Sequence, residues 1–145
     1  MVIEGYRAGQ HAVFKLQYHF VFVTKYRKPV LQDEIAEDTK SIIGRLIEEN
    51  FEGSVLEMET DMDHIHILAE LDTKYSIKSI ANNLKGVSSR LVRKKHREEL
   101  DAVLPGGSFW SDSYFVCTVG GAPLEALKEY IESQPTKKRR PGRPW

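Results

Sequence analysis

Residues 63–68 read Asp63-His64-Ile65-His66-Ile67-Leu68, in which polar and apolar side chains alternate. Alternation with a period of two is typical of a β-strand that has one face against a hydrophobic core. The isoleucines then point inward, and the two imidazoles project from the opposite face. The strand therefore presents a pair of nitrogen donors on the open side of a sheet.

Similar patterns predict the elements before this strand. Apolar residues alternate with polar ones over residues 14–23, which predicts the first strand. Apolar residues at helical spacing over residues 31–50 predict a helix, with Gly53 as its stop signal. Residues 55–60 read as a strand that pairs with residues 64–71 in an antiparallel hairpin.

After the hairpin, the pattern predicts a second helix, a fourth strand and a last helix. The second helix begins near Ile77, and the fourth strand includes the aromatic and β-branched residues between Phe109 and Val119. Pro123 suits the first turn of the last helix, which Pro135 ends. The predicted apolar face of the second helix is Ile80, Ala81, Leu84, Val87 and Leu91.

The order β-α-β-β-α-β followed by a helix predicts an α+β, ferredoxin-like fold: a four-stranded antiparallel sheet with two helices on one face. The C-terminal helix carries Tyr130. We expect one domain over residues 1–134 and a basic, disordered tail over residues 135–145. His64 and His66 lie on the uncovered sheet face together with Gln17 and His19.

The composition excludes several protein classes. The chain of 145 residues has one cysteine, Cys117, so it has no disulfide framework, and it lacks an apolar run of membrane-spanning length. A cytoplasmic protein that does not enter the membrane is the expectation.

Charge is segregated along the chain although 21 basic residues balance 21 acidic ones. Residues 137–143 hold five of the bases and leave 16 bases against 21 acids elsewhere, so a nucleic-acid site has to be local. Residues 74–97 contain eight bases and no acid. The candidate DNA contacts are Lys25, Tyr26, Arg27, Lys28, Lys78, Asn82, Lys85, Ser89 and Arg93. Basic stretches are also common on solvated helix faces that bind nothing. The basic tail is either a minor-groove hook or a nonspecific basic segment.

Two further side chains extend the possible chemistry of the histidine pair. Tyr130 and Gln134 are four residues apart and share one helix face. A phenol, an amide and two imidazoles suit a metal-assisted phosphoryl transfer with tyrosine as nucleophile. Each signal alone has an ordinary alternative, because histidines occur on polar sheet faces and tyrosines pack on amphipathic helices.

Five strings in order resemble the single-tyrosine, histidine-hydrophobe-histidine (HUH) transposases called TnpA, from small bacterial and archaeal insertion sequences of the 200/605 type. The strings are Tyr18-His19-Phe20-Val21-Phe22-Val23-Thr24-Lys25-Tyr26-Arg27-Lys28-Pro29-Val30-Leu31, Asp63-His64-Ile65-His66, Leu84-Lys85-Gly86-Val87-Ser88-Ser89-Arg90, Phe109-Trp110-Ser111-Asp112-Ser113-Tyr114-Phe115 and Tyr130-Ile131-Glu132-Ser133-Gln134.

This resemblance implies roles for four residues. Tyr130 is the nucleophile, and His64, His66 and Gln134 are ligands of Mg²⁺ or Mn²⁺; ligand type alone also suits zinc, nickel or iron. The resemblance also implies an enzyme that cleaves and rejoins single-stranded DNA at insertion-sequence ends through a 5′-phosphotyrosine intermediate and that recognises DNA hairpins.

The resemblance also implies a homodimer whose active sites are shared between subunits. Residues Gly120-Gly121-Ala122 are a joint that suits such an exchange of the last helix, although the same residues also suit a helix that packs on its own subunit.

Other functions fit parts of the sequence. One alternative is a non-catalytic ferredoxin-like module that binds nucleic acid, and another is a metal-binding regulator; neither needs Tyr130. A module that reads RNA favours aromatic pairs on the central strands, where this chain has histidines and carboxylates. A replication initiator or relaxase is disfavoured by length and motif order. A domesticated HUH nuclease acting on genomic palindromes shares all the motifs.

Overall fold

The computed structural model describes residues 3–119 and 124–137. In chain order its elements are β1 (Arg7–Ala8), β2 (Val13–Phe14), β3 (Leu16–Val23), a 3₁₀ turn (Lys25–Arg27), α1 (Asp33–Phe51), β4 (Ser54–Thr60), β5 (His64–Leu71), α2 (Ile77–Lys95), α3 (Arg97–Val103), β6 (Phe115–Thr118) and α4 (Leu124–Ser133).

The main sheet has four strands in the order β4-β5-β3-β6, and every neighbouring pair is antiparallel. Strands β3, β4, β5 and β6 with helices α1 and α2 give the β-α-β-β-α-β order of a ferredoxin-like fold. The predicted α+β fold class is confirmed. A short hairpin of β1 and β2 precedes it.

Strand β5 alternates between buried and partly exposed residues along its whole length. Ile65 and Ile67 are fully buried in the core, as the alternation predicts. Paired residues of neighbouring strands share a face, so His66 lies beside Val21 and His64 beside Val23 on the opposite side. The strand thus places both imidazoles on the face away from the core.

Helix α2 buries a different stripe from the predicted one. Ser88 and Val92 are buried together with the expected Ile80, Ala81 and Leu84, whereas Leu91 is 39% exposed and Val87 is only partly buried. Ser88 is tolerated in the core because its hydroxyl accepts a hydrogen bond of 2.9 Å from the indole of Trp110.

Strand β6 is shorter than predicted. Phe109 and Trp110 precede it as buried core residues, and Trp110 forms an isolated bridge with Thr24. The segment 111–114 between Trp110 and β6 is a loop, which leaves the side chains of Ser111 and Ser113 available for other contacts.

Helix α1 ends in a tight connection to β4. Glu52 has a left-handed backbone, and a Cβ added to the following Gly53 would lie 2.8 Å from Ile47 Cγ2 and 3.0 Å from the carbonyl oxygen of Glu70. Only glycine fits this approach of helix and sheet.

Two predicted features lie outside the described residues: the joint at Gly120-Gly121-Ala122 with Pro123, and the tail beyond residue 137. Within residues 3–119 and 124–137, no helix has the length and apolar character needed to cross a membrane. The division into a domain and a tail stays a prediction.

Candidate active site

The open sheet face carries a cavity of about 440 Å³ that both predicted histidines line. His64 and His66 contribute from β5, and the C-terminal helix α4 closes the cavity from above. The lining residues are Val21, Glu59, Thr60, Asp61, His64, His66, Leu127, Lys128 and Ile131. The cavity therefore places two imidazoles directly beneath the helix that bears the tyrosine.

His64 is held by the residue before it. Its Nδ1 lies 2.8 Å from Asp63 Oδ1, so the imidazole Nδ1–H donates to the carboxylate. The other ring nitrogen, Nε2, then keeps its lone pair, which is the form that binds a metal ion. The geometry at His64 fits a metal ligand.

His66 has a different partner. Its Nε2 is 2.9 Å from Nδ1 of His19, and the two rings are nearly parallel, with an angle of 3° between their planes and 4.8 Å between their centres. Burial lowers the pKa of His66, and the neighbouring His19 lowers it further. A neutral His66 is suited to metal binding, but coordination through Nε2 requires that it exchange His19 for the ion.

Tyr130 projects from α4 toward the loop before β6. Its phenol oxygen lies 2.8 Å from Ser113 Oγ, and its ring centre is 5.3 Å from that of Phe115. Burial raises the pKa of Tyr130, and the hydrogen bond with Ser113 offsets part of the rise. In this position the phenol is neutral near pH 7.

Gln134, one turn further along, binds the same loop. Its Oε1 accepts hydrogen bonds from Ser111 Oγ at 3.0 Å and Ser113 Oγ at 3.2 Å, and the side chain is buried. Lys85 fixes the loop from behind, because its Nζ donates to the carbonyl oxygens of Ser111 and Ser113 at 2.7 and 2.9 Å. Burial lowers the pKa of Lys85.

The four predicted residues thus form two groups in this structure. His64 and His66 line the cavity, whereas Tyr130 and Gln134 bind the loop of Ser111 and Ser113. The part of α4 that lines the cavity includes Ile131, which follows Tyr130 and is about 100° away around the helix axis. Within residues 3–119 and 124–137, no three His, Cys, Asp or Glu side chains form a metal site, so an amide or another oxygen donor has to complete one.

The candidate DNA contacts divide by exposure. Lys28, Lys78 and Asn82 are exposed, and Ser89 is partly so. Lys25 binds Asp112 at 3.0 Å and lies 5.4 Å from the ring centre of Tyr26.

Two other predicted DNA contacts, in addition to Lys25 and Lys85, also bind groups within the chain. Arg27 pairs with Asp63 at 3.3 Å. Arg93 donates to Asp101 Oδ1 at 2.9 Å and to the carbonyl oxygens of Ser108 and Leu104.

Sequence reasoning assigned no role to Asp63, His19, Ser111 or Ser113, all of which contact predicted site residues. The strand alternation does predict His19 on the same sheet face as His64 and His66, because it is two residues from Gln17 in the first strand. The serines carried no signal of their own, because their partners are some 20 positions away on a different element.

Comparison with known proteins identifies the family to which this fold belongs. The family model described as "Transposase IS200 like" matches residues 12–134. The chain is 33% identical over 131 residues to the ISDra2 transposase TnpA of Deinococcus radiodurans, and the alignment covers 90% of this chain and 92% of the relative. It is 34% identical over 125 residues to the transposase for insertion sequence element IS200 of Salmonella typhimurium, covering 86% of this chain and 80% of the relative.

A solved structure extends this comparison to three dimensions. The crystal structure of a protein described as a transposase from Deinococcus radiodurans superimposes with a TM-score of 0.79 at 30% identity, covering 90% of this chain and 99% of that one. The chain belongs to the IS200-like transposase family. The resemblance inferred from the five strings is confirmed.

Proposed function

We propose that this transposase cleaves and rejoins single-stranded DNA at insertion-sequence ends, with Tyr130 as nucleophile and with a divalent ion, Mg²⁺ or Mn²⁺, held by His64, His66 and Gln134. One observation carries the proposal. The imidazole pair opens into a cavity covered by α4, the helix that carries the phenol and directly precedes the amide residue Gln134.

The reaction balances without a nucleotide cofactor. The phenol oxygen of Tyr130 forms a bond to the scissile phosphorus, the bond from phosphorus to the 3′-oxygen breaks, and the phenol proton ends on the released 3′-OH. A 3′-OH of another strand later attacks the 5′-phosphotyrosine and restores the phenol. Each step exchanges one phosphoester bond for another.

The donor set fits a divalent ion in part. His64 Nε2 is available because Asp63 holds Nδ1, and two neutral imidazoles with an amide oxygen would leave the ion its full charge. When bound, the ion would neutralise the scissile phosphate and stabilise the departing 3′-oxygen. The choice of Mg²⁺ or Mn²⁺ over zinc comes from the family resemblance, because imidazole ligands also suit zinc.

Helix α4 has to change position for this chemistry. A rotation of about 100° about its axis would put Tyr130 where Ile131 now lines the cavity, and Gln134, one turn on, would move with it. Exchange of α4 between the subunits of a homodimer achieves the same end. We favour the shared arrangement because the family resemblance implies it, and the contacts of the phenol with Ser113 and Phe115 leave it away from the histidines of its own subunit.

The DNA partner is a single strand with hairpins at the element ends. The exposed Lys28, Lys78 and Asn82 are the proposed phosphate contacts, and Tyr26 offers a ring on which a base can stack. The left-handed backbone of Tyr26 (φ +58°) is a strained conformation of the kind that clusters at functional sites.

The test is formation of a covalent adduct. The protein is incubated with single-stranded hairpin DNA from an element end and Mn²⁺, and the products are separated on a denaturing gel. Wild type is expected to form an adduct that Tyr130→Phe does not. Tyr75→Phe is the matched control, because Tyr75 hydrogen bonds to Glu52, and it should retain the adduct. An adduct in Tyr130→Phe would disprove the nucleophile, and no adduct in wild type would favour a DNA-binding regulator.

A mixing experiment tests the shared site. Tyr130→Phe and His64→Ala protomers are each expected to be inactive, and a mixture should recover part of the activity if one subunit supplies the phenol and the other the imidazoles. Absence of recovery, with mixed dimers demonstrated by differently tagged subunits, would place the whole site in one subunit.

A further inference from the structure

Three side chains from two parts of the chain form a continuous chain of hydrogen bonds at the edge of the cavity. Arg27 Nε donates to Asp63 Oδ2 at 3.3 Å, and Asp63 Oδ1 accepts from His64 Nδ1 at 2.8 Å. We infer that Asp63 and Arg27 are positioning residues that fix the tautomer and orientation of His64. This inference rests on the proposed metal site.

The carboxylate decides which nitrogen of His64 carries the proton. An ionised carboxylate only accepts hydrogen bonds, so His64 has to present Nδ1–H to it and keep the lone pair on Nε2. Metal-bound histidines commonly have this carboxylate partner, which orients the ring and raises the basicity of the ligand nitrogen. Asp63 therefore holds His64 in the tautomer and orientation that bind a metal ion, even when no ion is bound.

Arg27 holds the carboxylate in turn. Without it, Asp63 has two equivalent oxygens and is free to rotate, whereas the guanidinium occupies one oxygen and leaves the other for the imidazole. This is a different role from the phosphate contact predicted for Arg27.

The backbone around these residues is built to bring them together. Thr24 is fully buried, its N–H donates to the carbonyl oxygen of Asp63 at 2.9 Å, and its hydroxyl donates to that of Lys28 at 2.7 Å. Arg27 itself has a left-handed backbone with φ of +54°. A non-glycine residue keeps such a conformation when its surroundings over-determine it, which is common at functional sites.

The side chains are not core packing. The side chains of Arg27 and Asp63 are 28% and 21% exposed and that of His64 is 21% exposed, so each reaches solvent, and His64 does so in the cavity. A purely structural ion pair at this exposure would contribute little to stability. The arrangement is better explained by its effect on His64.

The direct test is NMR on protein labelled with ¹⁵N in histidine, without metal or DNA. In wild type, neutral His64 is expected to carry its proton on Nδ1. In Asp63→Asn, whose amide can donate to the ring, we expect a shift toward the Nε2–H tautomer. A wild-type His64 protonated on Nε2 would overturn the inference even if no Asp63 variant folds.

Titration with Mn²⁺ alone gives the second readout. Asp63→Asn should bind Mn²⁺ about 10–100-fold more weakly than wild type. Arg27→Gln should show a smaller loss in the same direction, and Arg90→Gln, which removes an exposed cation from α2, should show none. If Arg27 only contacts phosphate, Arg27→Gln will leave Mn²⁺ affinity and the His64 tautomer unchanged, and that result would refute its positioning role.

These outcomes are distinguishable from failure of the proposed function. The tautomer is measured without DNA, so it can be correct in a protein that forms no adduct. Conversely, an adduct that depends on Tyr130 together with an unchanged His64 tautomer in Asp63→Asn would keep the proposed function and overturn this inference.

Discussion

Substitution of Ser113 by alanine should loosen the C-terminal helix from the rest of the protein. The Ser113 hydroxyl contacts Tyr130 Oη at 2.8 Å and Gln134 Oε1 at 3.2 Å. Ser113→Ala removes both contacts but leaves the loop in place, because Lys85 still binds the carbonyl oxygens of residues 111 and 113.

The size of the effect follows from the number of hydrogen bonds lost. Each contributes a net of about 0.5–1.5 kcal/mol, and the exposure of Ser113 to solvent favours the lower half of that range. The two together then contribute about 1–2 kcal/mol, which corresponds to a roughly 5–30-fold increase in the population with α4 undocked.

Amide hydrogen exchange measured by mass spectrometry is a suitable assay, because it reports local opening without any need for DNA. Peptides covering residues 124–134 should exchange about 5–30-fold faster in Ser113→Ala, and those of β5 should not change. The control is Ser133→Ala, which removes a bond of 2.7 Å to the carbonyl oxygen of Tyr130 within α4 and no docking contact. Equal exchange of α4 in wild type and Ser113→Ala would show that the serine does not hold the helix.

Three further predictions concern stability and are measured by denaturant unfolding. Gly53→Ala should destabilise the fold by about 1–3 kcal/mol, because the added methyl group overpacks the contact between helix and sheet. Gly86→Ala should instead stabilise α2 by about 0.5–1 kcal/mol, because its new Cβ meets no neighbouring atom within 4 Å. Equal effects of the two substitutions on stability would contradict this difference. Ser88→Ala should cost about 1–3 kcal/mol because it leaves the buried indole N–H of Trp110 without an acceptor, and a neutral result would mean that the indole finds another. The adjacent imidazole and ammonium groups lower the pKa of Asp38 from its usual 3.8, so the carboxylate stabilises the fold fully above pH 3.8 and loses this effect as the pH falls through the folded-state pKa. The difference in unfolding free energy between wild type and Asp38→Asn should therefore disappear in acid. A difference that is constant with pH would disprove this role of Asp38.

The fold and the histidine face were predictable because burial in a sheet has a period of two. A shift of β5 by one residue would bury His64 and expose Ile65, so the alternation fixes the face on which each residue lies. The partner of His66 was not predictable to the same degree. His19 belongs to the same face by alternation, but its 2.9 Å contact with His66 depends on the register of β3 against β5, which no local pattern fixes.

The buried face of α2 and the resting place of Tyr130 depend on tertiary contacts. Helical periodicity predicted that Leu91 is buried and that Ser88 is not, because hydrophobicity alone does not show that the indole of Trp110 needs a hydrogen-bond acceptor. The last helix was correctly predicted from its apolar spacing, and it ends before Pro135 as expected. Which loop binds its phenol was not, since Ser113 lies on a different element and acquires that role only when the helix docks.

The most direct measurement is to identify the residue that becomes linked to DNA. Wild-type protein is reacted with single-stranded hairpin DNA and Mn²⁺, digested with nuclease and protease, and the peptides are sequenced by mass spectrometry. We predict a nucleotide attached through its 5′-phosphate to Tyr130. A nucleotide attached to any other residue, or attached through a 3′-phosphate, would contradict the proposed mechanism.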